Sequence, residues 1–114
     1  MSFQYLQLEQ RDQVATVWIN RAEMHNAFNT QVIEELHRCF SELNTRDDVR
    51  VVILAGRGKS FSAGADLNWM KEAGQASQAE NEADALKLAK MLQSLATLKQ
   101  PTIARVQGIA FGGG

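Results

Sequence analysis

Val51-Val52-Ile53-Leu54-Ala55-Gly56 is followed, after a gap of four residues, by Phe61-Ser62-Ala63-Gly64-Ala65-Asp66. Val51 to Leu54 form a continuous apolar run bounded by Arg50 and Gly56, the pattern of a strand buried on both faces in a parallel sheet. The second stretch is a tight Ala/Gly segment that leads into a short helix over residues 67–72. Strand, small-residue turn and helix in this order predict an α/β protein.

Upstream, residues 5–9 and 14–20 read as two short strands joined by the polar turn Arg11-Asp12-Gln13, a hairpin whose second strand is rich in β-branched and aromatic residues. After a loop over 21–29, Thr30 is the expected N-cap of a helix with Val32, Leu36, Cys39, Phe40 and Leu43 on one face. Downstream, Ser77 and Glu80 form an S-x-x-E capping box for a helix to about Leu98. Its apolar stripe is Ala85, Leu88, Ala89, Leu92, Leu95 and Ala96. Pro101 blocks its continuation, and Thr102 to Val106 read as another strand that runs into Gly112-Gly113-Gly114. There is no strict repeat, only a loose ββα alternation.

The 114 residues suffice for one small domain, and 45% hydrophobic with 22% charged residues is a globular composition. A net charge of −1 without a long basic run argues against nucleic-acid and anionic-membrane partners and favours small-molecule chemistry. A single cysteine, Cys39, excludes an internal disulfide and a cysteine-rich metal site, and no metal ligand set is assigned. No apolar run approaches the ~18 residues of a membrane span, and residues 1–10 resemble neither a signal peptide nor a transit helix. The expected location is the cytoplasm.

Two small-residue turns, each after a predicted strand, carry the chemistry: Ser62-Ala63-Gly64-Ala65-Asp66 and Gly112-Gly113-Gly114. Such turns let backbone approach a ligand at the crevice of a parallel sheet, and their amides can stabilise negative charge on a thioester oxygen. Either turn alone can be a simple connection; the pair carries the reading. Asp66 fits both an N-cap for the next helix and a brace for the turn. Trp69 and Met70 fit core or acyl-pocket lining, and His25 fits a solvated loop residue, with a base or a phosphate contact as the alternatives. His37 reads as surface and Cys39 as a buried structural thiol. Gly58-Lys59-Ser60 imitates the end of a P-loop, but Ile53 stands where that motif needs glycine. Lys59 remains available to an anionic group.

In order along the chain, Asn20-Arg21 with Asn26-Ala27, Val51 to Leu54 with Gly56, Phe61 to Leu67, and Pro101-Thr102-Ile103-Ala104 through Gly108 to Gly112-Gly113-Gly114 resemble the blocks of the enoyl-CoA hydratase/isomerase (crotonase-like) family. The resemblance implies a crotonase fold, a spiral of ββα units, of which residues 1–114 are the amino-terminal part of a single domain. It also implies an acyl-CoA thioester as substrate with no further cofactor, and assembly as a homotrimer or hexamer. By the family pattern the backbone amides of Ala65 and Gly113 form an oxyanion hole. Ala22, Glu23, Met24 and Ala27 of the first loop, with Ala63, Ala65, Asp66, Leu67 and Asn68, hold coenzyme A. Two departures stand out: Ala22 replaces the usual proline after Arg21, and Glu23 lies where a lysine is common. The glutamates that serve family hydratases as acid and base fall after Gly114. Residues 66–70 look closest to hydratases of branched or carboxylated acyl groups such as methylglutaconyl-CoA. An isomerase or another acyl-CoA reaction of the family, and a non-catalytic CoA-binding or assembly module, are the alternatives.

Overall fold

A computed structural model describes residues 2–114, and in it the amino-terminal hairpin forms as the alternation predicts. β1 (Leu6–Arg11) pairs antiparallel with β2 (Val14–Ile19), so that Arg11 faces Val14 and Asp12-Gln13 alone makes the turn. Asp12 has φ of 55°, a left-handed conformation that Asp tolerates better than most side chains. Along β2, Ala15, Val17 and Ile19 are buried, whereas Val14, Thr16 and Trp18 are only half-buried.

The helix that follows, α1 (Thr30–Leu43), begins one residue away from expectation. Asn29, in extended conformation, is the cap, its Oδ1 accepting from Val32 N–H at 2.9 Å, and Thr30 is the first helical residue. The stripe of Val32, Leu36, Cys39, Phe40 and Leu43 is buried together with Ile33. Burial pushes the Cys39 thiol up to about 12, which leaves it a small core residue rather than a nucleophile. Glu35 is buried as well, without a sequence signal. Its carboxylate accepts from Tyr5 N–H at 2.9 Å and from Gln31 Nε2 at 2.6 Å, which pins the start of the chain to α1.

β3 (Val51–Gly56) runs parallel to β2, and β4 (Thr102–Arg105) parallel to β3, giving a four-stranded sheet in the order β1-β2-β3-β4. The core joins Ala15, Val17, Ile19 and Val52 to α1 and to Met91. Helices thus cover one face. The expected burial of β3 on both faces is met only in part: Val52 on one face and Ala55 on the other are buried, while Val51, Ile53 and Leu54 stay half-buried. Between β3 and β4 lie α2 (Leu67–Gln75) and α3 (Gln78–Ala96). Ser77 caps α3 through its Oγ, which accepts from Glu80 N–H at 3.1 Å. The predicted stripe of α3 is mostly exposed. Leu88 and Leu95 are half-buried, Ala85, Ala89, Leu92 and Ala96 are open, and Met91 is the one buried residue of the helix. All four residues of β4 are exposed. Among the described residues no helix is long and apolar enough to cross a membrane.

Core and open faces should respond differently to truncation. Phe40→Ala is expected to cost about 3–5 kcal/mol in urea unfolding, and Leu92→Ala about 0.5 kcal/mol. Leu92, Ile103, Val106 and Phe111 are all exposed. Apolar area of this kind seeks partners, so size-exclusion chromatography with light scattering should show concentration-dependent self-association. A monodisperse monomer that binds no apolar dye contradicts it.

Candidate functional site

Three loops leave the carboxyl ends of the three parallel strands: 20–29 after β2, 57–66 after β3 and 106–114 after β4. This is where a parallel sheet presents a ligand crevice. The first loop opens with a single 3-10 turn, Ala22–Met24, and reverses through His25 and Asn26 at φ of 51° and 55°. Asn26 is completely buried. Its Oδ1 accepts from Arg21 N–H at 2.8 Å, and its Nδ2 donates to Arg57 O and Ser60 O, both at 2.9 Å. The same residue's carbonyl accepts from Ser62 Oγ at 2.9 Å. Gly56 makes room for this clamp: a Cβ there would lie 2.6 Å from Phe61 O and 2.8 Å from Asn26 Nδ2.

The second loop is stitched to the other two. Toward the first, Phe28 N–H donates to Gly64 O at 2.7 Å and Asp66 N–H donates to Phe28 O at 2.8 Å, forming a parallel bridge between Phe28 and Ala65. In such a bridge the central residue turns its own N–H to the opposite side, so the Ala65 amide faces away from Phe28. Toward the third, Ser62 N–H donates to Ile109 O at 3.1 Å and Phe111 N–H donates to Ser62 O at 3.0 Å. Gly64, at φ of 86°, lies so close to that loop that a Cβ would sit 2.6 Å from Phe111 O and 3.5 Å from Gly113 N. The turns carrying Ala65 and Gly113 are therefore in backbone contact. Both residues are exposed, and among the described residues neither amide donates to a protein acceptor.

The other predicted residues fall around this junction. Ala22, Glu23 and Met24 are exposed on the 3-10 turn, and Ala27 is buried behind it. Ala63 is half-buried and donates to His25 O at 3.0 Å. Leu67 and Asn68 are exposed on the first turn of α2. Asp66 has both roles that its sequence position suggested. Its Oδ1 caps α2 by accepting from Trp69 N–H at 3.0 Å, and its Oδ2 pairs with Arg21 at 2.8 Å. The same Arg21 nitrogen also donates to Ala27 O at 3.0 Å. Burial alone would raise the Asp66 pKa; the Trp69 N–H and the bond and charge of Arg21 outweigh it and hold the carboxyl below its ordinary 3.8. Sequence reasoning missed the Arg21–Asp66 pair and the Asn26 clamp because their partners lie 45 and 31–36 residues away.

Beside Gly113 opens an apolar cavity of about 210 Å³ lined by Phe28, Leu54, Leu92 and Leu95 among others. Trp69 is half-buried against the core, whereas Met70 is exposed. Nδ1 of the exposed His25 lies 3.1 Å from the buried Ser60 Oγ, and Lys59 beside it is exposed without an ion pair among the described residues. The site thus offers two amides without a protein acceptor among the described residues at one end, an apolar cavity behind, and polar loop surface along the other side.

A family model described as enoyl-CoA hydratase/isomerase matches residues 9–114, and the chain belongs to that family. Over 108 residues it is 39% identical to a short-chain-enoyl-CoA hydratase of Clostridium acetobutylicum, covering 94% of this chain and 40% of that protein. It is 34% identical to a 4-chlorobenzoyl coenzyme A dehalogenase of Arthrobacter over 112 residues, covering 96% of this chain and 40% of that one. The crystal structure of an enoyl-CoA hydratase from Shewanella pealeana superposes with a TM-score of 0.95 at 37% identity, covering 97% of this chain and 42% of that structure. The fold is accordingly that of the crotonase enzymes. The chain spans 40–42% of the length of these relatives.

The depressed Asp66 pKa gives a pH dependence of known sign. The carboxyl ionises more readily folded than unfolded, so its contribution to stability is full above about pH 4 and is lost as pH falls through the folded value. Urea unfolding between pH 7 and pH 3 should show a shallower acid limb for Asp66→Ala than for the wild type. Equal slopes would remove the linkage.

Proposed function

We propose that the chain is the acyl-CoA-binding part of an enoyl-CoA hydratase, which adds water across a 2,3-enoyl-CoA double bond. The observation that carries this reading is the contact between two turns whose Ala65 and Gly113 amides have no acceptor among the described residues. A thioester oxygen bonded by both N–H groups gains stabilisation as it becomes enolate-like, in a site where the donors need no reorganisation. The acyl group would extend toward the apolar cavity beside Gly113, whose volume of about 210 Å³ suits a short chain. Coenzyme A would run along Ala22 to Ala27 and Ala63 to Asn68, with Lys59 nearest its anionic groups in place of the lysine that Glu23 replaces. The substrate is itself the coenzyme A thioester, and no other cofactor is part of the proposal.

Water addition also needs an acid and a base, which the family pattern assigns to glutamates following the glycine turn. No residue of this chain takes that role. A second reading, another acyl-CoA reaction on the same thioester site, is favoured by one observation: the dehalogenase of Arthrobacter matches over the same region as the hydratases. Fold and thioester site are shared, and acid/base residues select the reaction. Assembly as a trimer or hexamer in the cytoplasm belongs to the same proposal.

Purified residues 1–114 are expected to bind crotonyl-CoA without hydrating it above a heat-killed control. A polypeptide extended through the acid/base glutamates should hydrate it, and Gly113→Pro in that polypeptide should lower kcat by about 10²–10³, the usual cost of one oxyanion donor. Turnover by residues 1–114 alone would overturn the acid/base assignment. Failure of both polypeptides to bind any acyl-CoA would overturn the reading itself.

A further inference from the structure

Arg21 and Asp66 form an ion pair unlike the others in the molecule. Their side chains are 11% and 3% exposed, whereas the partners in the remaining pairs among the described residues range from 31% to 98%. Exposed pairs of that kind contribute little, but a pair out of water is held in one geometry and leaves a costly charge if either partner is removed. The guanidinium is fixed from several sides. It lies 5.2 Å from the centroid of the Tyr5 ring, and Tyr5 is tied to buried Glu35 through its own N–H. One nitrogen reaches both Ala27 O and the Asp66 carboxylate, so a single group joins the first loop to the start of α2.

Ala65 lies between these anchors. Gly64 O before it and Asp66 N–H after it are both bonded to Phe28, and the Asp66 side chain is held by Arg21 and Trp69. The charge is as important as the geometry. A carboxylate that is itself out of water, one residue from an amide that must stabilise negative charge, would oppose that stabilisation.

We infer that Arg21 is a positioning residue for the oxyanion site. Through its buried pair with Asp66 it holds the Ala65 amide in its outward orientation, and it cancels the carboxylate that would otherwise repel the developing oxyanion. This rests on the thioester reading given above. It adds a role for a side chain that is turned toward Asp66 and Ala27 and that has no assignment in the resemblance to the family.

The test reads polarisation of the bound carbonyl rather than affinity or stability. [1-¹³C]Crotonyl-CoA is bound to the chain, and the displacement of its carbonyl resonance and stretching frequency is measured against the free thioester. The wild type is expected to displace both. Arg21→Met should lose most of that displacement in the bound fraction, and Arg21→Lys, which keeps a cation beside Asp66, should retain most of it. A merely structural Arg21 would lower the folded or bound fraction in Arg21→Met and leave the displacement of bound ligand unchanged, which overturns the inference. Should Arg21→Met not fold, Arg21→Lys decides: folded protein that binds without displacing the carbonyl also overturns it. If the wild type binds crotonyl-CoA with no displacement, the oxyanion reading falls first, an outcome distinct from a loss confined to the Arg21 variants.

Discussion

The clamp around Asn26 is the constraint on which the site depends. A fully buried carboxamide has donors and acceptors that water cannot reach, and leaving one of them unmade costs about 1–3 kcal/mol. Here the acceptor takes Arg21 N–H, the donor reaches Arg57 O and Ser60 O, and the backbone carbonyl takes Ser62 Oγ. The bonds to Arg57, Ser60 and Ser62 cross from the loop after β2 to the loop after β3 and hold the two in one register. The positive φ at His25 and Asn26 bends the first loop back far enough to make them. Once Ser60 and Ser62 are held, the bridge between Phe28 and Ala65 can form, and the orientation of the Ala65 amide follows from it.

The second loop is also braced on the outer face of the sheet. The Arg57 guanidinium lies over the Trp18 ring at 3.8 Å from its centroid and donates to Glu9 and Gln7 of β1. Gln107 adds a tie from the third loop, its Nε2 donating to Gly56 O at 2.7 Å. A turn built of Ala and Gly has no side chains with which to hold its own shape. Its rigidity comes from neighbours, and the neighbours here are an asparagine inside, an arginine outside and a glutamine alongside. Preorganised amides are useful in catalysis only when they do not have to move, and this arrangement supplies that condition without large side chains in the crevice.

Apolar surface is distributed unevenly. α1 buries its whole stripe between the sheet and α3, while α3 buries only Met91 and β4 buries nothing. β2, α1 and β3, which lead into the first two loops and out of the first, are therefore the best-packed part of the chain, and the third loop, with Gly113, is joined to the second through the bridge between Ser62 and Ala110. In a chain that spans 40–42% of its relatives, burial is concentrated next to the loops of the proposed thioester site.

Short-range pattern made much of this legible. The alternation of β2, the three- and four-residue spacing of α1, the apolar run of β3 and the capping serine of α3 are local signals, and all were realised as the predicted elements. The small-residue turns were legible too, because only residues without bulk let two backbones meet as Gly64 and Phe111 do. Three features were not. Amphipathic spacing on α3 says which side could be buried, but whether a partner lies there is decided by packing. The choice of Asn29 over Thr30 as cap turns on backbone conformation, since both side chains can do the work. The Asn26 clamp, the Glu35 contact with Tyr5 and the Arg21–Asp66 pair join residues 30 to 45 positions apart. Sequence alone determined which segments become strand, helix and turn, because those preferences act over a few residues. Only the tertiary structure decided which polar groups meet in the interior, because a buried hydrogen bond exists only once the chain has brought both of its partners out of water together.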